Sequence, residues 1–354
     1  MSKLAILGDT HFGVRSDNPA FHEYYRKFYT EVFFPYLKEN NIHIVIQTGD
    51  MFDRRKYINF QTLALCRKYF FDNLIKNDIT MISYLGNHDI FYRNTLTVNS
   101  PELLLNDYIN GSDESVQIIS KPTTRGFGAS FFNGHDIDIV PWICEENAKD
   151  SAHFMENSLN KICFGHFDIL GFKMNKDQVC LEGFDPSYFK NYEMVISGHF
   201  HHKSSKGNIH YVGAPCEHTW SDYGSDKGFH IMNTNTRELT FIENPHHIFY
   251  KIHYDETLID KTFWNIPLYK DTYIKVIVEN KTDQYKFDQF MTELHKANPL
   301  DVSVIEDLKG LTDVNNDVSQ IDDTGKILDK FIESGEFGVD KDNLKRLVHE
   351  IYNE

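Results

Sequence analysis

Five short apolar runs of this chain are each followed closely by a glycine and then by an Asp, His or Asn. Runs of this length, bounded by turn residues, are typical of buried strands. Because the carboxyl ends of parallel strands meet at one edge of a sheet, the polar residues should gather in one crevice. The five motifs are Gly8-Asp9-Thr10-His11, Gly49-Asp50-Met51-Phe52-Asp53, Gly86-Asn87-His88-Asp89, Gly165-His166 and Gly198-His199-Phe200-His201.

Apolar spacing predicts alternating strands and helices before about Val116 and mostly strands after it. The early elements are strands Lys3–Leu7, Ile42–Ile46 and Ile79–Leu85 and helices Phe21–Lys38 and Phe60–Ile75. The later strands are Gln117–Ile119, Ile137–Val140, Ile162–Phe164, Met194–Ile196, Ile209–Val212, Phe229–Met232 and Leu239–Ile242, with brief helices near Glu145–Leu159 and Pro186–Lys190. Two mixed sheets packed face to face between outer helices would accommodate them, which is a four-layer α/β arrangement.

A seam near Pro245 divides the chain into a larger and a smaller part. We predict a catalytic domain over residues 1–246 and a small α+β domain over 247–306. The smaller domain would contain strands Tyr250–His253, Tyr273–Val278 and Val302–Ile305 and a helix Tyr285–Ala297. Residues 307–322 are acidic and are predicted to form a linker. Residues 323–354 carry two helical patterns, Lys326–Glu333 and Lys341–Tyr352, separated by glycines.

Composition limits the cellular setting and the partners. The five cysteines are scattered without a CxxC pair, which favours a reducing cytoplasm. No apolar run approaches the roughly 20 residues of a membrane span. The net charge of −16 argues against tight DNA binding by this chain alone, since DNA-binding surfaces are basic.

Each motif alone is a weak signal. A lone Asp-x-His is more often a turn or a helix cap, and a lone histidine such as His166 is more often structural. Five strand-terminal motifs in one chain together predict a metal site, because Asp and His are ligands suited to manganese, iron and zinc. Two cations in one site need a bridging carboxylate, for which Asp50 is the natural candidate. Cations roughly 3.5–4 Å apart can hold both oxygens of an in-line displacement.

The motifs resemble those of the calcineurin-like metallophosphoesterases. Within that superfamily they are most similar to the SbcD-type double-strand-break repair nucleases, and among these to the small subunits of T-even bacteriophage recombination endonucleases. The resemblance covers the whole chain, more weakly over the last ~110 residues. It rests on the five motifs and on Lys121-Pro122-Thr123-Thr124, Val140-Pro141-Trp142-Ile143-Cys144-Glu145-Glu146-Asn147, and Gly165-His166-Phe167 followed by Gly171-Phe172.

The resemblance implies a role for each motif residue. One cation would be held by Asp9, His11, Asp50 and His201, and the other by Asp50, Asn87, His166 and His199. His88 would contact the scissile phosphate and assist protonation of the leaving group, oriented by Asp89. The family prefers manganese, and this ligand set also allows magnesium, zinc or iron. The implied activity is that of a DNA exonuclease and endonuclease in recombination and break processing.

Candidate substrate contacts are less well defined. Arg54 follows the second motif, and Asp53-Arg54 also resembles the phosphoprotein phosphatases, in which the arginine grips phosphate. Arg54 is either such a contact or a solvated loop charge. His202 and Lys203 follow the fifth motif and are candidates for DNA contact, as is Lys206. The 247–306 domain resembles the family's capping domain, although its lysines are equally consistent with an ordinary surface.

The resemblance also implies partners. The terminal helices would dock on the coiled coil of an SMC-like ATPase subunit, although they could instead pack on their own chain. Phe60–Ile75 and Phe91–Tyr108 could form a homodimer face within a heterotetramer, or could simply be core. Two other functions are considered: a phosphoprotein or small-molecule phosphatase on the same fold, which Arg54 and the acidic charge favour, and a non-catalytic scaffold, which the intact ligand set opposes.

Overall fold

A computed structural model describes residues 2–111, 114–174, 179–258 and 266–306, together with positions 332, 340, 341, 344 and 345. The fold is the four-layer arrangement predicted from the sequence, with two six-stranded mixed sheets and a small third sheet. The predicted linker 307–322 lies outside the described residues, as does nearly all of the predicted helical pair 323–354. The division into four domains therefore stays a prediction.

The first sheet contains the strands that precede the first three motifs. Its strands are β1 (Lys3–Leu7), β2 (Ile44–Gln47), β3 (Thr80–Tyr84), β4 (Val116–Ile119), β11 (Gly228–Asn233) and β12 (Leu239–Glu243). They lie in the order β12-β11-β1-β2-β3-β4. Strands β1 to β4 are parallel, which the alternating pattern predicted for the first three of them, whereas β11 runs antiparallel to β1.

The second sheet contains the strands of the last two motifs. Its members are β5 (Thr123–Arg125), β6 (Ile137–Val140), β7 (Ile162–His166), β8 (Met194–Gly198), β9 (Ser204–Lys206) and β10 (Ile209–Tyr211). They lie in the order β5-β6-β7-β8-β10-β9, with β6, β7, β8 and β10 parallel. The short polar edge strands β5 and β9 were not predicted, because they carry little of the apolar alternation that marks a strand.

Helices cover the outer faces of the two large sheets, and one further helix, Gln284–His295, lies on the third sheet. The helices of the large sheets are Pro19–Lys27, Phe34–Glu39, Phe60–Cys66, Asp72–Lys76, Ser100–Leu104, Asn106–Ile109 and Ala148–Asn157; π-helical segments Phe28–Phe33 and Arg67–Phe71 join the first and second pairs. Short 3-10 turns occur at Phe132–Gly134, Pro186–Phe189, Trp220–Asp222 and Ile266–Tyr269, and Val14–Asp17 forms a turn with left-handed residues. Asn18, Asn59 and Asp283 cap the helices that follow them by accepting backbone N–H groups, as short polar N-cap residues do.

The alternation of side chains along each strand sorts the core into layers. On β1, Leu4 and Ile6 point between the two sheets, where they join residues such as Ile196. Ala5 and Leu7 point the other way, into a Phe- and Tyr-rich core under the helices. Both faces of the central strands are therefore buried, which explains why they read as continuous apolar runs in the sequence.

The third sheet lies within the segment predicted as a capping domain. It consists of β13 (Phe249–Asp255), β14 (Tyr273–Asn280) and β15 (Asp301–Glu306), in that order. The helix Gln284–His295 covers one face of this sheet with Phe287, Phe290 and Leu294. Among the described residues, none of the helices has the length and apolar character needed to cross a bilayer.

Candidate metal centre

The five motifs meet at one end of the two large sheets. Each motif residue lies at or just beyond the carboxyl end of its parallel strand, where ligand-binding crevices of layered α/β folds form. Three of these residues have left-handed backbones: His11 with φ 40°, Asp50 with φ 51° and His199 with φ 86°. Non-glycine residues rarely adopt such values, and strain of this kind concentrates at functional sites.

The motif glycines allow the loops to approach one another closely. A Cβ on Gly86 would lie 2.2 Å from Asp50 Oδ1, and one on Gly198 would lie 2.6 Å from Asp9 Oδ1. Neither separation is tolerable for a real side chain. The glycines are therefore needed because a carboxylate from another loop occupies the space that a side chain would fill.

The residues of the first cation position, which are Asp9, His11, Asp50 and His201, are brought together. His11 Nε2 lies 3.0 Å from His201 Nε2 and 3.7 Å from Asp50 Oδ2. Ligand atoms of Asp9, His11 and Asp50 lie within 4.8 Å of one another, and all three residues are buried. Such a cluster of carboxylates and imidazoles has the chemistry of a transition-metal site.

The residues of the second cation position, which are Asp50, Asn87, His166 and His199, converge more tightly. Asn87 Oδ1 lies 3.1 Å from His166 Nε2 and 2.9 Å from His199 Nδ1, and His166 Nε2 lies 3.3 Å from Asp50 Oδ2. Four electron-pair acceptors thus face one point when the imidazoles are neutral, which fits a cation. With the Asn87 amide turned over, its nitrogen donates to these groups and its oxygen accepts from Arg55 Nη2, an arrangement that suits the cation-free protein.

Groups behind the ligands hold them in place. His166 Nδ1 donates to the Thr48 carbonyl at 2.7 Å, so Nε2 faces the cluster. The backbone N–H of His199 donates to Asp9 Oδ2 at 2.9 Å, which ties the fifth motif to the first. Outer contacts of this kind orient metal-binding imidazoles and carboxylates.

The electrostatics also favour a cation. Burial raises the pKa of Asp9 to about 7. Burial opposes the charged form of His166, but Asp50 outweighs it and raises the His166 pKa to about 9. The cation-free cluster therefore retains protons at groups that would have to release them on binding a metal.

His88 and Asp89 do not act as the predicted pair. His88 Nδ1 donates to the Asp53 carbonyl at 2.7 Å, and its backbone N–H donates to Asp50 Oδ1 at 2.7 Å. The buried Asp89 carboxylate accepts the backbone N–H groups of Met51 and Gly86. The predicted orientation of His88 by Asp89 is therefore corrected: the Asp53 carbonyl orients the ring, and Asp89 ties the second and third motif loops together.

The predicted substrate contacts have other partners in this structure. Arg54 Nη1 lies 3.3 Å from Asp17 Oδ2 and donates to the Tyr57 hydroxyl. Its neighbour Arg55 is the arginine that reaches Asn87. Lys203 Nζ lies 2.8 Å from Asp226 and 3.6 Å from the centre of the Phe241 ring. His202 is half-buried beside His201.

Sequence reasoning missed two residues of this site. The Trp142 ring lies 5.2 Å from the His199 ring and 5.9 Å from the His166 ring, and so forms a wall of the second cation position. Ligand atoms of His218, His11 and His201 lie within 4.8 Å of one another. A signal for His218 was available, since it follows a parallel strand, β10, but at a distance of seven residues rather than immediately.

A four-layer sandwich with clustered carboxylates, imidazoles and an amide at its strand ends defines a metallophosphoesterase. The model of the calcineurin-like phosphoesterase family matches residues 2–203. The chain belongs to this family, as its resemblance predicted, and is a phosphodiester hydrolase.

Two relatives narrow the comparison. Exonuclease subunit 1 of Enterobacteria phage T4 is 33% identical over 325 residues, covering 90% of this chain and 87% of that protein. A subunit of the SbcCD nuclease of Staphylococcus epidermidis is 22% identical over 255 residues, covering 67% of each chain. Among solved structures, GAP50, the anchor in the inner membrane complex of Plasmodium, has a TM-score of 0.40 at 11% identity, covering 87% of this chain and 98% of that one. The chain is thus a homologue of exonuclease subunits.

Proposed function

We propose that this chain is the nuclease subunit of a DNA recombination and break-processing complex and that it hydrolyses DNA phosphodiester bonds as an exonuclease and endonuclease. The observation that carries the proposal is the convergence of all seven predicted ligands with His88 beside them. The two relatives named above support it, because one is an exonuclease subunit and the other a nuclease subunit.

The ligands divide into two positions that share Asp50. Asp9, His11, Asp50 and His201 would hold the first divalent cation, and Asp50, Asn87, His166 and His199 the second. Bound cations would supply Lewis-acid chemistry and offset negative charge on the phosphate. Manganese is the metal we propose, because the mixed oxygen and imidazole ligands suit it.

His88 is proposed as the group that moves a proton. Its Nδ1 carries a hydrogen, because a backbone carbonyl can only accept. Nε2 would then be the nitrogen that donates a proton to the leaving sugar oxygen as a general acid, after which the ring is neutral and keeps its hydrogen on Nδ1. The ring lies 4.8 Å from the His11 ring, so this proton transfer would take place next to the first cation position. Asp89 contributes by holding the loop that carries His88.

Partners and domains complete the proposal. Residues 1–246 would form the catalytic domain, 247–306 a capping domain beside the DNA, and 307–322 a linker. Residues 323–354 would bind an SMC-like coiled-coil ATPase, and two copies of each subunit would form a heterotetramer. Both relatives are named as subunits, which supports an obligate partner. Such a partner would also supply DNA affinity that a chain of net charge −16 lacks.

Arg54 is one of the two features that favour the phosphatase alternative. Its guanidinium already pairs with Asp17 and donates to the Tyr57 hydroxyl, which weakens the case for a phosphate contact there. Arg55, which contacts Asn87 when that amide is turned over, could still bind a phosphate of either a monoester or a diester.

The deciding experiment is hydrolysis of end-labelled linear duplex DNA by the purified chain with manganese, beside para-nitrophenyl phosphate. His88→Ala should lower DNA hydrolysis by roughly 10²–10⁴-fold, the usual contribution of a general acid or base. His135→Ala is the matched control, because His135 is exposed and precedes β6 at the opposite end of the second sheet.

Each outcome has a definite meaning. Loss of DNA hydrolysis in His88→Ala alone supports the nuclease. Rapid monoester hydrolysis with intact DNA would replace it with the phosphatase. If neither substrate is cleaved, the assay is repeated with an SMC-like ATPase partner, and inactivity there would favour the scaffold.

A further inference from the structure

The loop between β10 and β11 crosses from the second sheet to the first at the metal end of the molecule. Strand β10 pairs in parallel with β8, so its carboxyl end lies beside the fifth motif. Strand β11 pairs antiparallel to β1, so it begins near the first motif. Residues 212–227 therefore pass next to both His201 and His11.

His218 lies on this loop and is an unusual buried histidine. Its exposed fraction is 1%, and neither ring nitrogen has a hydrogen-bond partner. Among the histidines that the structure describes, no other has both ring nitrogens buried and unpaired. Buried polar atoms normally find a partner because leaving them unpaired costs folding free energy, so each exception requires an explanation.

The position of the ring suggests what the missing partner is. The centre of the His218 ring lies 4.8 Å from that of His201 and 5.1 Å from that of His11, both edge-on. One ligand atom from each of the three rings lies within 4.8 Å of the others. His11 and His201 already lie within hydrogen-bonding distance of each other, with their Nε2 atoms 3.0 Å apart, so His218 is the ring of the three that lacks a partner. A cation among the three rings would accept the lone pair of a neutral His218 imidazole.

The loop is built to hold His218 at this place. Asp222 Oδ2 accepts the backbone N–H groups of His218 and Thr219, both at 2.9 Å. Lys227, which is 1% exposed, donates to Asp222 Oδ1 at 2.6 Å and to the His201 carbonyl at 2.8 Å. A single buried ion pair thus holds the backbones of both His218 and His201.

We propose that His218 is an additional imidazole ligand of the first cation position, beside His11 and His201. The inference rests on the two-cation site of the proposed function and extends its ligand set. A third imidazole shifts the preference of that position from magnesium toward transition metals, for which imidazole is the better ligand.

The test is a calorimetric titration of the full-length, metal-free protein with manganese chloride. His218→Phe should weaken one of two sites by tenfold or more and leave the other unchanged. His230→Phe is the matched control, because His230 is also buried with an unpaired ring nitrogen and should leave both sites unchanged. His201→Ala and Asn87→Ala report on the first and second positions of the proposed site.

Thermal unfolding separates a ligand from a packing residue. His218→Phe should not lower the unfolding temperature of the metal-free protein, since the replaced nitrogens have no partner there. It should reduce the rise in that temperature on adding manganese, because binding stabilises only the folded chain. A lower metal-free unfolding temperature with unchanged manganese affinity would show that His218 only packs, and would overturn the inference.

Failure of the inference can be told from failure of the site. If His201→Ala removes a site and His218→Phe retains both affinities, His218 is not a ligand, but the two-cation site stands. If neither His201→Ala nor Asn87→Ala alters manganese binding, the two-cation site itself is wrong, and the assignment of His218 fails with it.

Discussion

The strands that carry the metal ligands and the strands of the third sheet are buried in different ways. All five residues of β7 and all five of β8 are buried. Along β14, buried residues alternate with partly exposed ones, and β15 is mostly exposed. A strand covered on both faces resists local opening more than one covered on a single face. The ligand-bearing loops are thus anchored to strands that are buried on both faces, whereas β14 and β15 expose part of their side chains within the described residues.

Removal of the metal should produce the largest difference between these two regions. Chelation should reduce phosphodiester hydrolysis to the level of the blank, because the ligand cluster has no other source of Lewis-acid chemistry. Restoring cations at a hundredfold excess over Kd should add about 2.7 kcal/mol of stability. Hydrogen exchange should show slowed exchange in the loops after β1, β2, β3 and β8 and no change along β14. Equal changes in hydrogen exchange in the ligand loops and along β14 would contradict the proposed difference between the two regions.

The second-largest expected difference is the loss of stability when an ion pair is broken in each of the two regions. Lys227→Met leaves the Asp222 carboxylate buried without its cation, and the pKa of Asp222 is held well below its usual value although burial alone would raise it. We expect a loss of about 3–5 kcal/mol in the free energy of unfolding. Lys286→Met removes the exposed cation of the pair with Glu256 beside the third sheet and should cause a much smaller loss, because the Glu256 carboxylate keeps the backbone N–H groups of Thr282 and Asp283 as donors. Urea denaturation of both variants is the measurement, and equal losses would contradict the comparison.

Acid should weaken the first sheet through His230 on β11. Burial lowers the pKa of His230 to about 4. Because the unfolded chain takes up this proton near pH 6.5 and the folded chain only near 4, the contribution to stability is present above 6.5 and is lost as pH falls through this window. Between about pH 7.5 and about pH 5.5 the loss should be about 1.3 kcal/mol. In urea denaturation at the two pH values, the His230→Phe variant should not show this loss of stability. If its pH dependence equals that of the native chain, His230 is not the cause of the loss.

Removal of a single methyl group should give the smallest difference in stability between the two regions. Ile196→Val on β8 removes a methyl from a fully buried position between the sheets and should cost about 1 kcal/mol. Ile277→Val on the partly exposed face of β14 should stay within about 0.5 kcal/mol of the native chain. Chemical denaturation resolves the two, and a larger loss at Ile277 would mean that its face of the sheet is covered.

The sequence by itself determined the layered fold and the seven candidate ligands. A strand buried on both faces must be apolar throughout, and a ligand at its end must follow directly, so both are visible as local patterns. The edge strands β5 and β9 escaped prediction because a short polar edge leaves almost no pattern.

Only the tertiary structure decided which neighbours complete the site. Arg54 and Arg55 are adjacent in the chain, and the path of their loop turns Arg55 toward Asn87 and Arg54 toward Asp17. Asp89 and His88 are adjacent too, yet the Asp89 carboxylate accepts the Met51 N–H whereas the His88 ring contacts the Asp53 carbonyl. His218 reaches His11 across more than 200 residues because its loop connects the two sheets at their metal end. Contacts between loops depend on how distant strands pair, and no local pattern records that pairing.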